Sequence, residues 1–152
     1  MVRFINKLFL LLCSVCIVSC NVNTTHTNEL LEKTQAENVT SRFYGALLTK
    51  NYDRVTPILS PKFFEGMDEN DFKKSLEKTN EKFGDIVTWD LIDWKTVRVT
   101  GSSPKCEYLF VYEVEYIKYK AKETFFMERA NGNEKIKIVS YKVESEGFLK
   151  EL

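Results

Sequence analysis

The run from Cys106 to Ile117 constrains this chain more than any other stretch. Cys106, Tyr108, Phe110, Tyr112, Val114 and Tyr116 alternate with Glu107, Leu109, Val111, Glu113, Glu115 and Ile117. One parity is apolar throughout, and the other mixes acids with aliphatic residues. A period of two marks a strand with one face on a core and one toward water. A strand this long, reaching about Lys120, needs neighbours to be stable. Ile86–Thr100 supplies one, with Trp89, Leu91, Val97 and Val99 on one parity and Ile92 and Trp94 on the other. That change of parity predicts a bulge or a second buried face. The turn between these two strands is Gly101-Ser102-Ser103-Pro104. Ala121–Ala130 reads as the next strand, and Asn131-Gly132 is a hairpin signal. Glu134–Glu146 closes the set, with Ile136 and Ile138 on the opposite parity to Val139, Tyr141 and Val143.

Ahead of the sheet the period changes to that of a helix. Leu31, Gln35, Val39, Phe43 and Leu47 recur at helical spacing, with Ala36 and Ala46 beside them, which predicts a helix over 29–50 capped by Asn28. Tyr52–Leu59 reads as a short second helix stopped at Ser60-Pro61, and Pro61 opens another turn under a Ser60 cap. Phe72, Leu76, Thr79 and Phe83 predict a third helix over 69–82, with Gly84 at its C-terminus. Its other side is rich in Lys and Glu and reads as a solvated face.

The first residues read differently. Arg3 and Lys7 precede the uncharged run LFLLLCSVCIVS, a positive segment followed by a short apolar one, as in a secretory signal. The run is too short to cross about 30 Å of hydrocarbon. Removing residues 1–19 leaves 133 residues, a net charge of −2, and only Cys20 and Cys106 of the four cysteines. Cys13 and Cys16 read as small apolar residues of the leader. Residues 20–28, polar and holding the single His26, read as a flexible tether, and 29–150 as one domain.

Composition excludes several functions. Over the whole chain 22 basic side chains balance 22 acidic ones, so the basic surplus of a nucleic-acid binder is missing. With one histidine, in the tether, neither a multi-histidine metal site nor a Ser-His-acid triad forms in the domain, and Cys106 has no histidine to activate it. The six glycines are scattered, so there is no phosphate loop, and MDENDF lacks the glycine and terminal glutamate of a calcium loop. No metal or cofactor is expected.

Two resemblances add to this reading. Ile17-Val18-Ser19-Cys20 resembles the lipobox of bacterial lipoproteins, which implies that Cys20 becomes the first mature residue and carries lipid, palmitate included. Several acyl chains anchor firmly where one does not. Residues 29–148 resemble small secreted domains of the NTF2-like (cystatin-like) superfamily. The likeness rests on FYGALLTKNYDRVTPILSPKFF, on KFGDI ending the next helix, on the tyrosine-rich strand, and on KIKIVSYKVES. It implies an α+β fold in which three N-terminal helices pack on a curved antiparallel sheet of about four strands, forming a cone around a pocket.

Tyr44, Trp94, Tyr108, Tyr112 and Tyr116 are the candidates to line that pocket, since aromatics with a polar tip suit a mixed ligand. Filling a core is the competing role for them. The expected function is that of a lipid-anchored envelope accessory domain that binds a protein partner or a small apolar ligand without catalysis. It would sit at the outer membrane facing the periplasm and could pair with a second copy through the sheet face. The alternative is an NTF2-like isomerase or dehydratase, with Asp93 or Glu113 as general base.

Overall fold

The computed structural model describes residues 23–130 and 135–149. The leader, Cys20 and the Asn131-Gly132 turn lie outside the described residues. Strand β1 (Thr24–Thr27) comes first, followed by helix α1 (Leu30–Leu48), three short 3-10 segments (Tyr52–Arg54, Thr56–Ile58 and Pro61–Glu65) and helix α2 (Glu69–Phe83). Strands β2 (Ile86–Thr100), β3 (Lys105–Tyr116), β4 (Lys120–Ala130) and β5 (Lys137–Glu144) follow, then a 3-10 turn at Glu146–Phe148. The strands form one sheet in the order β1-β2-β3-β4-β5, with every neighbouring pair antiparallel.

Three helical segments on an antiparallel sheet agree with the sequence; the cone does not. The sheet is open and uncurled, with β1 and β5 as two separate edges. A closed or strongly curved sheet would need its inner face to enclose space. Here large rings fill that face, so helices cover it directly. Phe43 of α1 meets Phe125 of β4 at 5.1 Å and Tyr141 of β5 at 4.8 Å between ring centroids. Tyr44 stacks on Trp89 at 5.0 Å and meets Tyr112 edge-on at 5.4 Å. The sheet also has five strands rather than four. The added one, β1, comes from Thr24–Thr27, inside the stretch read as tether, and pairs Thr24 with Thr100 and Thr27 with Val97.

Asn28 turns the chain from β1 into α1 with φ 54, a conformation asparagine tolerates better than most residues. Instead of capping the helix, its Oδ1 accepts from the Thr96 N–H at 3.1 Å, while its own N–H donates to the Thr96 carbonyl at 3.0 Å. The buried face of α1 holds Ala36, Val39, Phe43, Ala46 and Leu47 of the expected stripe and departs from it in the first turns. Leu31 is 65% exposed, whereas Glu32 is buried. At the end of α2 Gly84 has φ 83 and its N–H donates to the Asn80 carbonyl, so the expected glycine terminus holds. Ser60 caps the Pro61 turn as expected, accepting from the Lys62 N–H at 3.3 Å.

Three inserted residues explain the parity changes. In β2 the register slips between Ile86 and Thr88 and again between Leu91 and Asp93, so Val87 and Ile92 bulge out of the ladder. Both are 56% exposed. The second bulge lets Trp94 and Thr96 share the inner face with Trp89 and Leu91, opposite Phe110, Tyr108, Val114 and Tyr112 respectively. In β5 the slip comes at Val139, because Ser140 faces Phe126 and Ile138 faces Met127. Ile136 and Ile138 thereby join Tyr141 and Val143 against the core.

Candidate functional site

The five aromatics proposed for a pocket do not line one open space. Tyr44, Tyr108, Tyr112 and Tyr116 are buried. Trp94 is half-buried at the sheet margin, with the Lys33 ammonium 5.6 Å from its ring centroid. Their hydroxyls divide among separate partners. The Tyr112 and Thr40 hydroxyls share a hydrogen bond at 2.7 Å, and burial pushes the Tyr112 phenol up to about 12.

Tyr44 and Tyr116 instead converge on Glu123, a residue the sequence reading did not single out. Glu123 is fully buried on the inner face of β4. Tyr44 donates to its Oε2 at 3.1 Å and Tyr116 to its Oε1 at 2.6 Å, and Tyr141 hydrogen-bonds the same carboxyl. Desolvation raises the Glu123 pKa, and the three phenols oppose that shift by stabilising the anion. Burial, reinforced by the carboxylate, holds the phenols of Tyr44, Tyr116 and Tyr141 protonated well past their ordinary range. One signal for Glu123 stood in the sequence: it shares the parity of Ala121, Phe125 and Met127.

A second buried carboxylate, Glu32 of α1, lies among Arg98 of β2, Tyr108 of β3 and Arg129 of β4. Arg129 Nη2 and the Tyr108 hydroxyl both donate to its Oε2, the latter at 2.7 Å, and Arg98 Nε lies 3.9 Å from its Oε1. Arg129 also donates to Gln35 at 2.8 Å and contacts the Cys106 sulfur at 3.5 Å. Tyr108 thus belongs to a different cluster from the tyrosines around Glu123.

Open space lies elsewhere. A groove of about 590 Å³ runs between α2 and the β5 edge. Phe63, Met67, Phe72 and Leu76 form one side, and Val139, Tyr141, Val143 and Phe148 the other. Ser75, Lys78, Thr79, Lys82 and Ser140 add the polar groups, so no carboxylate or imidazole lines it. Tyr141 is the common wall: its ring borders the groove and its hydroxyl turns inward to Glu123. Behind that ring is a void of about 10 Å³ bordered by Leu47, Leu76, Tyr116 and Tyr141. Such a space holds one water at most, so the phenol–carboxylate cluster is closed to any substrate-sized molecule.

The remaining candidates are placed plainly. Asp93 and Glu113 are exposed on the outer face of the sheet, Asp93 beside Val111 in the β2–β3 ladder and Glu113 3.7 Å from Lys120 Nζ. Neither lines the groove; Glu113 borders a separate cleft of about 560 Å³ with Lys118, Lys120 and Glu144. His26 is exposed on β1, 3.4 Å from Glu29. Cys106 is buried and forms no disulfide among the described residues. Among the described residues there is no group of three or more metal-ligating side chains, and no helix is long and apolar enough to cross a membrane.

The resemblance to lipoproteins carrying an NTF2-like domain is therefore corrected on the side of its fold, and likeness to known proteins lends it no support. No protein-family model, curated protein or solved structure matches this chain.

Proposed function

We propose that this protein is a binding module without catalysis, held at the cell envelope by lipid on Cys20, and that it binds through the groove between α2 and β5. The groove carries this reading. Its volume of about 590 Å³ falls within the roughly 300–1,000 Å³ of ordinary ligand sites. Apolar walls with hydroxyls and two lysines suit an apolar partner bearing polar or anionic groups. General acid–base catalysis would need a titrating group facing the bound molecule. The buried carboxylates Glu123 and Glu32 face inward and are already partnered.

Anilinonaphthalene sulfonate, an apolar anion, tests the groove. Wild type is expected to bind it with enhanced fluorescence. Ser75→Trp fills the space from the groove-lining side of α2 and should weaken binding by roughly tenfold or more, about 1.4 kcal/mol, at an unchanged unfolding midpoint. Dye binding unaffected by Ser75→Trp would place the site elsewhere. In the same preparation Cys20→Ala is expected to move the protein from the membrane fraction to the soluble one. Continued sedimentation with membranes would refute the lipid anchor and leave the groove untouched.

A further inference from the structure

The groove has a wall that a small-molecule site does not require, an open strand edge. β5 is the last strand of the sheet, and β4 covers only one of its sides. On its outer side Leu59 forms a single bridge to Ile138, and the Ser60 N–H donates to the Ile138 carbonyl at 2.8 Å. That cover stops at the Val139 bulge. From Ser140 to Glu144 the outward backbone groups have no strand beside them among the described residues. This same stretch borders the groove through Ser140, Tyr141 and Val143. An edge with free donors and acceptors beside an apolar trough is the arrangement in which a protein takes up an extended peptide.

We propose that the occupant of the groove is an extended, acidic segment of a partner protein, which adds to β5 as a sixth strand between it and α2. This rests on the groove being the binding site and names what enters it. Backbone pairing along Ser140–Glu144 would supply the affinity. Alternate side chains of the segment would reach the trough between Leu76 and Val143, since strand residues point to opposite faces in turn.

Charge complementarity specifies the acid. Lys78 and Lys82 stand one turn apart on the α2 rim of the groove, and among the described residues neither forms an ion pair. Lys73 and Lys74 on the same helix are, by contrast, matched to Glu69 and Asp71. Two unmatched ammonium groups beside a free strand edge favour a segment in which aspartate or glutamate alternates with aliphatic residues.

The test uses the whole domain and an acetylated, amidated octapeptide alternating valine and aspartate, fluorescently labelled and read by anisotropy. Two isomers accompany it, one N-methylated on the valine amides and one on the aspartate amides. In a paired strand the amides of alternate residues face the edge. One isomer should therefore lose roughly tenfold or more in affinity, as expected from losing several net hydrogen bonds, while the other binds nearly as the parent does. A Lys78→Glu/Lys82→Glu variant should weaken the parent peptide and strengthen one in which lysine replaces aspartate. Equal binding by both isomers would overturn strand addition. So would a peptide that fails to bind while anilinonaphthalene sulfonate still binds and Ser75→Trp still blocks it; the groove would then take small molecules. A dimer in sedimentation velocity that excludes the peptide would assign the edge to a second copy and overturn it as well. Loss of both dye and peptide binding would refute the groove itself.

Discussion

Glu123→Ala is expected to destabilise the domain by about 4 kcal/mol, measured as a lower urea midpoint at unchanged slope. The carboxyl is fully buried and accepts from three phenols, those of Tyr44, Tyr116 and Tyr141. Alanine would leave those hydroxyls without their acceptor, at about 1–3 kcal/mol for each that finds no other, and would open a cavity among closely packed rings. Glu123→Gln keeps the shape and one acceptor oxygen, so its cost should be smaller.

The comparison with glutamine also has a pH signature. The folded pKa of Glu123 lies above the ordinary carboxylate value of 4.5. A group raised in this way contributes stability that is fully present below its unfolded pKa and lost as pH rises through the folded one. Wild type should therefore gain on Glu123→Gln as pH falls from about 7 toward about 5. Glu69, Asp85 and Glu144 have lowered pKa values and work in the opposite direction, but they are common to both proteins and cancel. A difference between the two proteins that stays flat over this range would mean that Glu123 is not desolvated.

The second large effect is expected at the other buried carboxylate. Arg129→Ala removes the guanidinium that donates to Glu32 and leaves that anion buried with Tyr108 and a more distant Arg98. Breaking a buried pair from one side costs about 3–5 kcal/mol. Glu32→Leu combined with Arg129→Met replaces the pair with apolar bulk and should recover much of that loss, giving a coupling of about 1–3 kcal/mol in a double-mutant cycle. Strictly additive effects would show that the two side chains do not depend on each other.

These two carboxylates also mark where the sequence stops being legible. The period-two run of β3 and the helical spacing of α1 and α2 follow from side-chain geometry alone, and both are found where they were expected. A glutamate reads as solvent-facing unless its partner is known. The partners here come from far along the chain, Arg129 for Glu32 and Tyr44 for Glu123. The inner face of β5 was obscured because Val139 is inserted into it, which offsets the parity of Ile138 from that of Tyr141. Strand β1 was missed because its four residues, TTHT, carry no apolar alternation and are exposed throughout.

The tyrosines expected around a pocket fill the core for a related reason. Tyr44, Tyr112 and Tyr116 do share the inner face, but with Phe43, Phe110 and Phe125 they fill it. The groove depends instead on the flank of α2, where Ser75, Lys78, Thr79 and Lys82 looked like an ordinary solvated surface, and on the edge of β5. Neither half has meaning until the topology brings the two together.

Site-specific photocrosslinking in living cells tests the central claim most directly. A benzophenone side chain would be placed in the groove at Met67 or Thr79, and on the outer sheet face at Ile92 or Phe126, which are 56% and 46% exposed. Binding in the groove predicts a discrete adduct from Met67 and Thr79, lost when Ser75→Trp is added, and none from Ile92 or Phe126. Adducts formed only from the outer face would contradict it and assign binding to the side of the sheet that the helices leave open.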